Sequence, residues 1–352
     1  MDGRTATLIT TINSPLTKGV KSLTQWAHDV NSLFIIIGDH KTPPHLDTTD
    51  GSVMFVSLEE QFRNFPTLAQ ALPLNHYSRK NIGYVVAHQQ NVQILFETDD
   101  DNCPATDIFS HSFIKFRTIL DKAGWVNLYR YFGKTNLWPR GLPLSHVYED
   151  VAEIGEICAS TKMSLVEYMV LGHDSELNFG AFQSLVDGDP DLDAIGRMLF
   201  PGQHIFDDLP TILLGRNQIC PTNSQATIWR GDLLPLLYLP ITASFRMTDI
   251  WRGVIIQEFM SSIGLKTAFG KLNISQERNK HDLIEDFRSE ISGHVFTEEV
   301  RNISRSVWTK ADNCSSNDYR DLLFQIYEEL VSQKILMVNE LTALEAYLHF
   351  FE

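Results

Sequence analysis

The chain has 352 residues, enough to bury a large core as one large domain or as one domain with an appendage. Its 29 Lys and Arg residues against 44 Asp and Glu residues give a formal net charge of -15. This charge argues against a sequence-independent binder of nucleic acid or of anionic membranes, because both activities need an excess of positive charge. The four cysteines form no CxxC pair, so neither a zinc site nor a disulfide scaffold is indicated.

No apolar stretch approaches the roughly 20 residues that span a bilayer. The opening segment, MDGRTATLITTIN, lacks the charged, apolar and small-residue regions of a secretion signal. We therefore expect no membrane span in this chain and a cytoplasmic location.

The first hundred residues alternate between strand-like and helix-like segments. Four β-branched or apolar runs, TLITTIN, LFIIIGD, VMFVSL and VQILFET, predict strands. A helix-like stretch separates the first two runs. Two further helix-like stretches separate the last two runs: EEQFRNFPTLAQAL, which is interrupted at Pro66, and HYSRKNIGYVVAHQQ. This alternation predicts an open α/β sheet of parallel strands, whose ligands bind at the carboxyl ends of the strands.

Three consecutive aspartates, Asp99, Asp100 and Asp101, follow the fourth predicted strand in FETDDDN. Adjacent carboxylates repel each other, and their hard oxygens suit Mn²⁺ or Mg²⁺ ions that bridge phosphates. The position resembles that of the Asp-x-Asp motif with which GT-A nucleotide-sugar transferases bind a divalent ion. We predict Asp99 and Asp101 as metal ligands, with Asp99 and Asp100 also contacting the donor. The alternative is a solvated acidic turn.

Polar residues also close the first two predicted strands. Thr11 and Asn13 end the first strand and Asp39 ends the second, where a GT-A fold would hold the base and ribose of a donor. Each of them is equally compatible with an ordinary turn. Arg79 and Lys80 lie near the start of a predicted helix, where free amide groups and the helix dipole favour anions. We predict that they contact a diphosphate; the alternative is a solvated basic helix face.

The middle of the chain offers further charged candidates. WPRGLPL holds Arg140 between a rigid Pro and a permissive Gly. VDGDPDLD supplies Asp187 and Asp189, which we expect to bind sugar hydroxyls or to support the metal, unless the segment is a solvated turn.

Two late segments complete the predicted site. In FRMTDIWRG, Asp249 is flanked by apolar residues, and we expect the raised pKa that a general base needs; the alternative is a helix N-cap. Trp251 in the same segment is a candidate for stacking on a sugar, although a core position is the commoner outcome. His281, in QERNKHDLIEDF, is our candidate for a further metal ligand.

Ten segments occur in an order that resembles the STELLO glycosyltransferase family: ITTINSP, IIIGDHKTP, SLEEQ, HYSRKNIGY, TDDDN, WPRGLPL, VDGDPDLDA, NSQAT, FRMTDIWRG and QERNKHDLIEDF. More distantly, the triple Asp, WPRGLPL and the segment around Asp249 are similar to the UDP-arabinopyranose mutases, the reversibly glycosylated polypeptides. Both resemblances imply a GT-A fold. STELLO proteins carry a membrane anchor, so the alternative location is the Golgi lumen, if an anchor has been removed.

The mutase resemblance leaves three roles open for Arg140. In the mutases the arginine of the similar segment becomes glycosylated, so Arg140 could receive a sugar. It could also clamp the donor diphosphate, which we favour, or pair with an acidic neighbour.

We predict an α/β protein of GT-A fold with a GT-A domain over residues 1–290 and a helical extension over 291–352. Within the domain, the nucleotide-sugar half covers about 1–102 and the acceptor half about 103–290. The extension either covers the domain or forms a homodimer surface. The predicted activity is metal-dependent transfer of a sugar from a nucleotide-sugar donor, a UDP-sugar, to a glycan or other hydroxyl acceptor. The alternatives are a nucleotide-sugar mutase or self-glycosylating protein that uses Arg140, and a non-catalytic scaffold.

Overall fold

The structure is a computed structural model that describes residues 4–13, 17–45, 51–120, 122–133, 137–149, 153–171, 177–276, 282–311 and 316–352. Its strands are β1 (Thr5–Thr10), β2 (Leu33–Ile37), β3 (Val53–Val56), β4 (Ile94–Thr98), β5 (Asn102–Pro104), β6 (Ser112–Ile119), β7 (Gly124–Trp125), β8 (Ile154–Ser164), β9 (Phe179–Asp187), β10 (Thr211–Leu213), β11 (Gln218–Ile219), β12 (Ala226–Arg230) and β13 (Lys266–Gln276).

The α-helices are α1 (Lys18–Asp29), α2 (Leu58–Asn64), α3 (Pro66–Ala71), α4 (Lys80–Gln89), α5 (Tyr129–Phe132), α6 (Leu165–Leu171), α7 (Ala194–Leu199), α8 (Thr248–Ser262), α9 (Leu283–Trp308), α10 (Ser316–Ser332) and α11 (Asn339–Leu348). Short 3₁₀ turns precede α4 and α8, at Tyr77–Arg79 and Phe245–Met247. Pro66 divides the second predicted helix into α2 and α3, because its ring fits the first turn of a helix and not the interior.

One sheet of eleven strands forms the centre of the molecule, in the order β3-β2-β1-β4-β12-β9-β13-β10-β6-β8, with β5 paired to β13. The strands β3, β2, β1 and β4 are parallel, as their alternation with helices predicts. β12 is antiparallel to both β4 and β9, and β9 is parallel to β13. The carboxyl ends of β1, β2, β4, β9 and β13 therefore lie at one edge of the sheet.

Helices cover both faces of the parallel half of the sheet. Side chains alternate along each strand, so that Leu8 and Ile35 pack with α4 and α8 while Ile9 and Phe34 pack with α1. All five residues of β4 are buried, the pattern of a strand that is covered on both faces. The predicted α/β fold class and its GT-A architecture are confirmed.

The predicted helical extension is present and packs on the rest of the chain. α9 packs on α8, α10 packs on α9, and α11 packs on both α10 and α3. The helix α9 runs continuously through residue 290, where we placed the domain boundary. No helix in the described parts of the chain is both long enough and apolar enough to cross a membrane.

Candidate functional site

A pocket of about 340 Å³ opens at the edge where the five strands end. Nine of the predicted site residues line it: Thr11, Asn13, Asp39, Arg79, Asp99, Asp100, Asp101, Arg140 and Asp249. Lys80, Asp187 and Asp189 do not belong to its lining. His281 lies outside the described residues. The fold thus brings together segments that are far apart in the sequence.

The acidic cluster, Asp99, Asp100 and Asp101, directly follows β4. The Thr11 hydroxyl donates a hydrogen bond of 2.5 Å to Asp100 Oδ2, and Asn13 Nδ2 lies 3.4 Å from the same oxygen. Residues at the end of β1 therefore orient the second carboxylate. Gln276, at the end of β13, donates from Nε2 to both oxygens of Asp101, at 3.0 and 3.1 Å.

Asp99 is the member of the acidic cluster that lies nearest to Lys80 and has a raised pKa. Burial raises its pKa to about 7, and the charges of Asp101, Asp249 and Asp100 act in the same direction against the opposing charge of Lys80. The Lys80 ammonium is 3.8 Å from Asp99 Oδ1, and 43% of the Asp99 side chain remains accessible. A cation in the pocket would therefore relieve the repulsion.

Lys80 lies below the pocket in a buried ionic network. Its ammonium donates to the Thr98 carbonyl oxygen at 3.2 Å and is 3.5 Å from Glu97 Oε1. Glu97 also accepts from the Tyr84 hydroxyl at 2.7 Å and from Arg252 Nη1 at 3.0 Å. The side chain of Lys80 is fully buried, so the alternative of a solvated basic helix face is wrong for this residue.

Arg79 is also fully buried, and the residue belongs to the pocket lining. Nε donates to Gln61 Oε1 at 2.8 Å and Nη1 donates to the Leu72 carbonyl oxygen at 3.1 Å. Nη2 has no hydrogen-bond partner among the described residues. Burial lowers the pKa of Arg79, while the charge of Asp39 opposes that shift.

Arg140 also lines the pocket, between two carboxylates. Nε and Nη2 donate to Asp191, with the Nη2–Oδ2 distance at 2.5 Å, while Nη1 and Nη2 donate to Asp249 at 2.9 and 3.0 Å. Nη1 also donates to the Arg246 carbonyl oxygen. All five N–H groups of the guanidinium are therefore engaged. Burial lowers the pKa of Arg140, but the two carboxylates outweigh that effect and raise it above its ordinary value.

Both carboxylate oxygens of Asp249 accept several hydrogen bonds. Besides the two bonds from Arg140, it accepts from the backbone N–H of Ser224 at 2.9 Å, from the Ser224 hydroxyl at 3.1 Å and from the backbone N–H of Ile250 at 3.0 Å. Burial raises its pKa, but Arg140 and these donors outweigh burial and lower it well below the ordinary range. The raised pKa that we expected is therefore wrong. Asp249 is also not the N-cap, because α8 begins one residue earlier, at Thr248.

The acidic run that begins at Asp187 serves several structural purposes. Asp187 pairs with Lys271 at 2.8 Å and accepts from the backbone N–H of Phe206 at 3.0 Å. The backbone carbonyl of Asp189 accepts from Gln225 Nε2 at 3.1 Å. Neither side chain lines the pocket, whereas Asp191, which we did not predict, does.

Three aromatic rings form another part of the pocket lining. His76 stacks on Tyr77, with the centroids 5.3 Å apart, and Phe245 is perpendicular to both rings. The backbone N–H of His76 donates to Asp39 Oδ2 at 3.2 Å. Trp251, our candidate for sugar stacking, is instead buried in the core, with Nε1 donating to Thr297. Its position in the interior of α8 turns it towards α9.

The predictions missed thirteen lining residues: Thr10, Ile12, Ile37, Gly38, Asn75, His76, Tyr77, Asp191, Ser224, Gln225, Phe245, Arg246 and Gln276. All of them fall in or beside segments on which the family resemblance depends. The signal was therefore present in the sequence, but it did not say which residue of each segment faces the pocket.

Among the described residues, no three His, Cys, Asp or Glu side chains converge closely enough to hold a metal ion by themselves. Any ion at the acidic cluster would therefore need further ligands besides these described side chains.

Parts of the chain are similar to proteins of one family. Residues 246–351 match the model of the STELLO glycosyltransferases. Two Arabidopsis thaliana proteins, named Probable glycosyltransferase STELLO2 and STELLO1, are each 26% identical over alignments of 246 and 250 residues that cover 65% of this chain. The chain spans 30% of the length of each relative. The predicted resemblance to the STELLO family is confirmed.

Proposed function

We propose that this chain is a metal-dependent glycosyltransferase that transfers a sugar from a UDP-sugar to a hydroxyl acceptor. One observation carries the proposal: three adjacent aspartates at the carboxyl end of β4 share a pocket with residues from the ends of β1 and β2. Ligands of open α/β sheets bind at this edge. The names of the similar proteins, which describe glycosyltransferases, support the same class of reaction.

The chemistry of the acidic cluster fits Mn²⁺ or Mg²⁺. Its donors are hard carboxylate oxygens, and the raised pKa of Asp99 reflects negative charge that Lys80 does not offset. The absence of a three-ligand cage among the described residues also fits, because Mg²⁺ is commonly held by one or two carboxylates together with substrate phosphates. Asp99 and Asp101 would hold the ion, whose positive charge stabilises a departing diphosphate.

The protein's own residues would orient the donor. Thr11 and Asn13 fix the carboxylate of Asp100, to which we assign a contact with the ribose. Asp39, at the end of β2, lies where the base is expected. Arg79 has a donor nitrogen without a partner among the described residues, and we assign to it the diphosphate contact. Lys80 instead balances the charge beneath the acidic cluster.

Arg140 and Asp249 would shape the site without taking part in covalent chemistry. Attachment of a sugar to Arg140 would require a free guanidinium nitrogen, and each of them already donates to a carboxylate. A carboxylate with a lowered pKa is a weak base, which supports a positioning role for Asp249. These contacts favour transfer to an external acceptor over self-glycosylation.

The proposal is tested by titration calorimetry of UDP with and without Mn²⁺. We expect Mn²⁺-dependent binding by the natural chain and at least a hundredfold loss with Asp101→Asn, because the amide cannot supply a charged ligand. Asp208→Asn, an exposed aspartate outside the pocket, is the matched control. Incubation with UDP-sugars should then release UDP when an acceptor is added. Equal UDP binding with and without Mn²⁺, or by the Asp101 variant, would contradict the proposal.

A further inference from the structure

Phe245 is a half-exposed aromatic ring within the pocket lining. Its accessible fraction is 52%, so it lies at the mouth and not at the base of the pocket. The backbone around it is held from two sides: the Tyr77 hydroxyl donates to its carbonyl oxygen at 2.7 Å, and the backbone N–H of Arg246 donates to Ser289 Oγ at 3.1 Å. The ring is therefore presented to solvent by a fixed segment.

The neighbouring rings limit how Phe245 can turn. Its centroid is 5.1 Å from that of His76 and 4.8 Å from that of Tyr77, and both interplanar angles are close to perpendicular. Edge-to-face contacts of this kind are favourable. An exposed phenyl ring that is held in one orientation can receive the apolar face of a ligand with little loss of side-chain entropy.

Two polar groups lie beside the ring. Asn75 is exposed, lines the pocket and has a positive φ of 53°. His76 Nδ1 accepts from the backbone N–H of Ser78 at 3.1 Å, so a neutral His76 carries its proton on Nε2 and can donate there. Burial lowers the pKa of His76 to about 4 against the opposing charge of Asp39, so the ring is neutral near pH 7.

An aromatic face beside an amide and an imidazole donor matches the surface of a sugar. A pyranose ring presents C–H groups on its face and hydroxyl groups around its edge, so it can stack on a phenyl ring while its hydroxyls bond to neighbouring polar groups. A nucleobase is expected deeper, beside Asp39, of which only 4% is accessible. The mouth of the pocket is the side from which an acceptor must arrive.

We propose that Phe245, together with His76 and Asn75, forms an acceptor subsite for a pyranose ring, and that the acceptor is therefore a saccharide. This inference rests on the proposed function and adds to it the chemical class of the acceptor. Phe245 is a specificity-determining residue in this assignment. It supplies the aromatic face for sugar stacking that the buried Trp251 cannot supply.

Saturation-transfer NMR tests the assignment. Maltose, lactose and cellobiose serve as probes, with UDP and Mg²⁺ present. We expect at least one disaccharide to receive saturation at its C–H protons and to bind about tenfold more weakly to Phe245→Ala, with Phe245→Tyr close to the natural chain. Phe200→Ala is the matched control, because Phe200 is 42% accessible and does not line the pocket.

UDP affinity, measured by calorimetry on the same variants, separates the outcomes. We expect it to change less than twofold in Phe245→Ala. A parallel loss of UDP affinity would assign the ring to the nucleobase and overturn the inference. Normal UDP binding without binding of any disaccharide, or disaccharide binding that is insensitive to Phe245→Ala, would overturn it while leaving the proposed function intact. Failure to bind UDP at all would instead contradict the proposed function.

Discussion

Arg140 and Asp249 face each other across two nearly equal hydrogen bonds, Nη1 to Oδ1 at 2.9 Å and Nη2 to Oδ2 at 3.0 Å. The same guanidinium holds Asp191 through Nε and Nη2. The planar guanidinium of Arg140 thus connects the loop after β9 to the start of α8. The ammonium group of a lysine could not span both carboxylates.

Arg140→Lys is therefore expected to lower the free energy of unfolding by about 3 kcal/mol, because a buried carboxylate loses its partner. Urea denaturation followed by circular dichroism measures the change. Arg230→Lys is the control, since Arg230 pairs with the exposed Asp232 and such surface pairs contribute little. A stability equal to that of the natural chain would show that the double pairing of Arg140 is not needed for the fold.

A second test of Arg140 concerns covalent modification. Intact-mass spectrometry after incubation with UDP-sugars and Mn²⁺ should show an unmodified chain, because all five N–H groups of Arg140 are engaged. A pentose or hexose adduct that maps to Arg140 would favour the mutase or self-glycosylating alternative.

The raised pKa of Asp99 predicts a pH-dependent stability in the absence of metal. The folded-state pKa, about 7, exceeds the ordinary value of 3.8, so the contribution of this group to stability is fully present below pH 3.8 and is lost as the pH rises from there to about 7. Asp99→Asn should raise the melting temperature by about 1 to 3 °C at pH 8 and change it little at pH 4. Calorimetric scans with EDTA present measure both values.

Metal supplies an internal control for this prediction. At pH 8, Mn²⁺ should stabilise the natural chain, since a ligand that binds the folded state shifts the unfolding equilibrium, and should not stabilise Asp99→Asn to the same extent. A variant that is destabilised at pH 8, or stabilised equally at both pH values, would contradict the assignment of repulsion to Asp99.

The sequence predicted the parallel half of the fold well, for a physical reason. Strands β1 to β4 are apolar runs, with periodic helices between β1 and β2 and between β3 and β4, and both signals are local. Their carboxyl ends could be placed at one edge from that alternation alone, which is why Thr11, Asp39 and the acidic cluster were predicted together.

The rest of the site depends on contacts that local patterns do not reveal. Whether Asp187, Asp189 or Asp191 enters the pocket depends on the turn after β9 and on the partner Arg140, which lies about fifty residues earlier in the chain. The pKa of Asp249 was predicted with the wrong sign because apolar neighbours in sequence suggested burial, whereas Arg140 and Ser224 approach from other segments.

The C-terminal helices are expected to be needed for the site and not only to cover it. Glu340, fully buried in α11, accepts from the Tyr238 hydroxyl at 2.6 Å and from the backbone N–H groups of Ile241 and Thr242 at 2.8 Å. It thereby fixes the loop that leads into Phe245. Glu340→Gln should lower the free energy of unfolding by about 2 to 3 kcal/mol, because an amide nitrogen replaces an oxygen that these donors need.

Glu345→Gln, at an exposed position of the same helix, is the control for that measurement. Differential scanning calorimetry compares the two variants. Equal melting temperatures would show that the carboxylate of Glu340 does not hold the loop, and the extension would then be a separable cover.

Arg79 and Lys80 are adjacent in sequence, but the structure separates their surroundings, and this difference yields the last prediction. Arg79 belongs to the pocket lining and has a nitrogen without a hydrogen-bond partner among the described residues, whereas Lys80 is enclosed with Glu97 and Thr98. Arg79→Met should weaken the binding of UDP about ten- to a hundredfold more than the binding of uridine, because a charge-assisted hydrogen bond to the diphosphate is lost. Lys80→Met should reduce stability and leave the ratio of the two affinities unchanged. Calorimetric titrations of both ligands, at a temperature where melting curves show each variant to be folded, measure the ratio. A larger change in the ratio for Lys80→Met than for Arg79→Met would reverse the two assignments: the Lys80 ammonium, and not Arg79, would then contact the diphosphate.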